Sequence, residues 1–100
     1  MVAADNLRRL PGEWREIVRP RSGSAADTLI DTLVQHPIMD IDQAVTQAQA
    51  SVAATYRALE QLEEVGILRR ASESARNRLW VAGAVLDEAD ALIDRAHAAN

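Results

Sequence analysis

One hundred residues with a formal net charge of −4, 48% hydrophobic and 26% charged, describe one small folded domain rather than a disordered or multidomain chain. No apolar run approaches the ~18 residues that span a bilayer, and the absence of cysteine excludes disulfides, thiol chemistry and cysteine-held zinc. No charged-then-apolar leader opens the chain, so a cytoplasmic location without membrane contact is expected.

The charge is unevenly spread. Residues 1–23 hold five arginines against three acids, and residues 67–82 hold four against Glu73 alone. Residues 24–39, 40–66 and 83–100 are each net acidic. A nucleic-acid binder usually carries a basic footprint, so the sign of each segment weighs more than the total.

In chain order, residues 1–23 read as a helical lead-in and linker. Leu7, Leu10, Trp14, Ile17 and Val18 give a weak helical stripe, predicted to break at Pro11-Gly12 and to end by Pro20. Trp14 reads as an anchor for this segment, or else as a residue that packs on something outside the chain. The main domain is predicted over residues 24–97. Ser24 or Asp27 caps a helix with a core stripe of Leu29, Ile30, Leu33 and Val34. Pro37 ends that helix by His36, and Ile38-Met39 is a short extended piece. Asp40 or Asp42 opens a second helix whose inner face is Ala44, Val45 and Ala48.

Gln49-Ala50 makes the next turn, and Ser51 caps a third helix with Thr55, Leu59 and Leu62 on one stripe and Gly66 as its stop. A short helix, a brief turn and a capped longer helix have helix-turn-helix spacing. Gln49 departs from the glycine usual in such a turn, and a positive φ there carries a steric cost. Ile67 to Ala71 and Arg76 to Ala82 then read as a hairpin around a polar tip. From Ala84 onward, Val85, Leu86, Ala89, Leu92, Ile93 and Ala96 form a final amphipathic helix. The fold expected is mainly α with a small β-hairpin wing: a winged helix-turn-helix.

Three stretches carry a family resemblance over roughly Ala25 to Ala96. They are Leu33-Val34-Gln35-His36-Pro37, the Leu59/Leu62 helix running into Gly66-Ile67-Leu68, and Arg76-Asn77-Arg78-Leu79-Trp80-Val81-Ala82 before Val85-Leu86. Together they resemble the C-terminal winged-helix domain of Fic-family proteins, which implies a regulatory module whose natural neighbour is a Fic catalytic domain. The catalytic Fic loop, His-Pro-Phe-x-Asp-Gly-Asn-Gly-Arg, is not matched. After His36-Pro37 come Ile38-Met39-Asp40-Ile41-Asp42, without the glycines, asparagine and arginine that would make an anion-binding loop. No enzyme activity, catalytic residue, metal site or cofactor is therefore expected.

For DNA binding, the early outward residues of the third helix would enter the major groove. Arg57 suits a guanine edge or a phosphate, and Gln61 suits adenine. Ser51 and Tyr56 reach phosphates. The hairpin adds Arg69, Arg70, Arg76 and Arg78 as phosphate or minor-groove contacts. The alternative for these four is pairing with Glu73, Asp87, Glu88 or Asp90 as surface ion pairs of little energy. Glu60, Glu63 and Glu64 oppose a DNA role. The competing function is a protein-interaction or dimerisation module that keeps the fold without binding DNA, and the final helix is the expected seam for a homodimer.

Overall fold

Short-range hydrogen bonds set most of the helix boundaries. The computed structural model of the chain describes residues 2–71 and 78–88. Helix α1 spans Val2–Val18, α2 Ala25–Leu33, α3 Ile41–Ala48 and α4 Val52–Glu64. Three helices start at a side-chain cap: Ser24 accepts from the Asp27 N–H, Asp40 from Gln43 and Ser51 from Ala54. At α3 the Gln43 side chain also accepts the Asp40 N–H, completing a capping box. Helix α4 ends in a Schellman motif: the Ile67 N–H reaches the Leu62 carbonyl and the Gly66 N–H the Glu63 carbonyl, with Gly66 at φ +82°. Ile67 and Leu62 are both buried, which supplies the apolar contact that accompanies this motif.

Strands β1 (Ile38–Met39), β2 (Leu68–Arg70) and β3 (Trp80–Ala82) form an antiparallel sheet in the order β1-β3-β2. Met39 and Arg70 both lie opposite Trp80, while Ile38 and Arg69 both lie opposite Val81. Residues 83–88 are helical. The chain is thus mainly helical, with a small three-stranded sheet. One core joins the layers: Leu29, Ile30 and Leu33 of α2, Ala44 of α3, and Leu59 and Leu62 of α4 meet Met39, Leu68 and Trp80 of the sheet.

Three expectations need correction. The break at Pro11-Gly12 does not occur, because α1 runs through Pro11 without interruption. An internal proline removes one helical hydrogen bond and costs about 3 kcal/mol. Burial of Leu10 and Trp14 in the core offsets that cost, together with Arg15, whose guanidinium bridges Asp27 and Asp31 of α2. Ile17 is not part of the stripe and stands 57% exposed. The returning strand starts at Trp80, later than expected, although the Ala71 N–H to Leu79 carbonyl bond extends the pairing by one step. Ile38-Met39 is extended as predicted but is also a paired edge strand, which no local signal announces.

Candidate nucleic-acid interface

Helix α4 offers three different surroundings around its axis. At 100° per residue, Thr55, Ala58, Leu59 and Leu62 fall on one face and are buried. Tyr56 and Glu63 fall beside that face toward the sheet. Ala54, Arg57 and Gln61 fall on the other side, toward the α1–α2 turn. Glu60 and Glu64 are exposed.

On the sheet side the residues are engaged with one another. Tyr56 is half-buried and meets Trp80 edge-on, with ring centroids 6.1 Å apart and planes at 68°. Trp80 Nε1 donates to Glu63 Oε1 at 2.6 Å, and Arg70 Nε donates to the same oxygen at 2.8 Å. Arg70 is held more firmly charged than usual, first by that hydrogen bond and then by the Glu63 charge. Two consequences follow for the sequence reading. Tyr56 is a packing residue before it is a phosphate contact. Arg70 is paired as the competing reading required, but its partner among the described residues is Glu63, an acid of α4 that this reading did not name.

The remaining hairpin arginines differ. Arg69 points away from the core face, opposite Val81, and its guanidinium stem lies over Gly83, where an added Cβ would stand 3.7 Å from Arg69 Nε. Among the described residues neither Arg69 nor Arg78 has an ion-pair partner. Arg76 lies outside the described residues, as do the tip acid Glu73, Asp90 and the stretch of the final helix that was expected to form a dimer seam.

At the start of α4, Ser51 is exposed and its oxygen is occupied as the helix cap at 3.1 Å, which leaves its O–H free to donate outward. Gln49, the turn residue before it, has φ 53° and ψ 45°, the left-handed conformation that the missing glycine implied.

On the third side lies a cleft of about 360 Å³ that sequence reasoning missed. Arg57, Gln61, Ala54 and Ala58 of α4 form one wall, and the α1–α2 turn, with Arg19, Pro20 and Arg21, forms the other. The turn is placed by Asp27, whose carboxylate accepts from the Gly23 N–H at 2.9 Å and from Arg15 Nε at 2.9 Å. Those bonds hold the Asp27 carboxyl below its ordinary range, the Gly23 contact contributing most. The available signal is the basic character of residues 1–23, a segment whose sequence otherwise reads as a helical lead-in and linker. Among the described residues, no group of three or more His, Cys, Asp or Glu is arranged to hold a metal ion, and no helix is long and apolar enough to cross a membrane. No family model matches the chain and no curated protein matches its sequence, so the functional reading rests on these residues and their geometry.

Proposed function

We propose that residues 24–97 form a winged helix-turn-helix that binds double-stranded DNA, as a transcription regulator or as the DNA-binding part of a Fic-type protein. The observation that carries this reading is the arrangement of cations around one presentable helix. Helix α4 follows α3 through a left-handed turn and is followed by an antiparallel strand pair. Arg57 on its outer side and Arg69 and Arg78 on the sheet are free of ion pairs among the described residues. An unpaired arginine can turn to a phosphate without breaking an ion pair, whereas Arg70 must first leave Glu63. The working contact set is therefore Ser51, Arg57, Gln61, Arg69 and Arg78, with Arg76 added from the sequence.

A labelled mixed-sequence duplex titrated by fluorescence anisotropy tests this. Neutralising several phosphates makes affinity fall by orders of magnitude between about 50 and 200 mM salt. Replacing Arg69 and Arg78 with alanine should weaken binding on any sequence and flatten that dependence. Absence of binding at the lower salt would end the DNA reading.

The second reading, an interaction or dimerisation module, draws on the exposed Glu60 and Glu64 and on Val52, which is 54% exposed at the start of α4. An acidic and apolar ridge suits a protein partner better than a phosphate backbone. A Fic-type catalytic domain or a second copy of this chain is the partner to try first.

A further inference from the structure

The α1–α2 cleft brings together three arginines from parts of the chain about 40 residues apart, in a protein of net charge −4. Arg19 and Arg21 come from the turn after α1, and Arg57 from α4. No carboxylate lines the cleft, and none of the three has an ion-pair partner among the described residues. Asp27 and Asp31 are both taken by Arg15, and Glu16 and Glu60, nearer in sequence to Arg19 and Arg57, are not among the residues that line the cleft. Ala54 and Ala58 put small side chains in the α4 wall beside Arg57 and Gln61.

Arg19 also sits in an expensive conformation. Its φ is 50°, and its N–H closes α1 on the Arg15 carbonyl at 2.9 Å. Glycine takes that helix-ending position without strain, whereas a side chain there costs about 1–2 kcal/mol. Strain kept at a position where a commoner residue would relieve it is a pointer to function.

We propose that this cleft is a phosphate seat: Arg19, Arg21 and Arg57 together bind a phosphodiester of the DNA strand that runs beside α4, with Gln61 donating to the same strand. The proposal rests on the DNA reading above and extends it, because it moves part of the interface into the segment read as a linker. Guanidinium groups suit this role, since each presents several N–H donors in a plane that matches two phosphate oxygens. The shared chemistry is a phosphate group, and its source is either a nucleic-acid backbone or a free phosphate compound.

The test compares the full chain with the double variant Arg19→Gly/Arg21→Ala. Glycine relieves the left-handed strain, so the thermal midpoint should stay level or rise while binding falls. On the labelled duplex, the variant should bind about tenfold more weakly, with a log–log salt slope shallower by about two. If the parent binds duplex and the variant keeps its affinity and slope, the seat is wrong and the DNA reading survives. If the parent binds no duplex, a titration with pyrophosphate decides the cleft separately, by amide shifts of Ala54, Arg57 and Ala58 in nuclear magnetic resonance spectra. Saturable shifts that the variant loses would keep the seat and assign it to a free phosphate compound. No shifts would overturn both readings.

Discussion

Toward the sheet, α4 offers Glu63, whose Oε1 takes hydrogen bonds from both Trp80 and Arg70. Toward the α1–α2 turn it offers Arg57 and Gln61 to a cleft already lined by Arg19 and Arg21. Both sides are rich in arginine, but toward the sheet Arg70 is taken by the protein's own carboxylate, whereas among the described residues none of the cleft arginines has an ion-pair partner. The difference lies in one residue. Glu63 falls within reach of the sheet, while Glu60 and Glu64, one turn of the helix away or less in sequence, fall on the exposed outer side. Arginine count along the chain therefore overstates the hairpin by Arg70 and does not show that Arg19 and Arg21 share a cleft with Arg57.

The largest expected effect tests the sheet side as a packing unit. Trp80→Ala removes a fully buried ring, its edge contact with Tyr56 and its bond to Glu63, and should cost about 3–5 kcal/mol in urea unfolding. Trp14→Ala on the cleft side should fall in the same range if α1 belongs to the cooperative unit. A loss under about 1 kcal/mol at Trp14, typical of surface positions, would instead mean that α1 rests on the domain without stabilising it.

A smaller change converts one side into the other. Glu63→Gln removes the carboxylate that holds Arg70 and leaves an amide that still accepts from Trp80. Duplex affinity should rise a few-fold, because Arg70 is released and one acid is lost beside the interface. Stability should fall slightly. Unchanged affinity at low salt would show that Arg70 lies away from any DNA path.

The smallest effect concerns the turn that carries Arg19 and Arg21. The Asp27 carboxyl is depressed chiefly by the Gly23 N–H and then by Arg15. A depressed acid stabilises the fold above its unfolded pKa, and that contribution disappears as pH falls through the folded value. The thermal midpoint should therefore drop from the ordinary aspartate range, near 4, downward. Asp27→Asn should be less stable at neutral pH and should lose that part of the acid dependence. An identical acid profile in the variant would refute the assignment.

Much of the framework was legible locally. Ser51 was readable as a cap, and Ser24 and Asp40 each as one of two candidates, because a cap uses residues three apart. Gly66 was readable as a stop because only its backbone conformation mattered. The error at Pro11 had the opposite origin: a local rule for ending helices lost to the burial of Leu10 and Trp14, which no window around Pro11 contains. The candidate site was less legible. Among the described residues Arg57, Arg69 and Arg78 have no ion-pair partner, while Tyr56 and Arg70 are engaged by contacts with Trp80 and Glu63.

By itself the sequence determined the ends of α2, α3 and α4, the core stripes of those three helices and the extended state of residues 38–39. These depend on hydrogen bonds and periodicities within a few residues. Only the tertiary structure decided the pairing of β1 with β3, the capture of Arg70 by Glu63 and the meeting of Arg19 and Arg21 with Arg57. Those partners are 7 to more than 40 residues apart, and a charge or an edge strand meets its partner only where packing of the core brings them together.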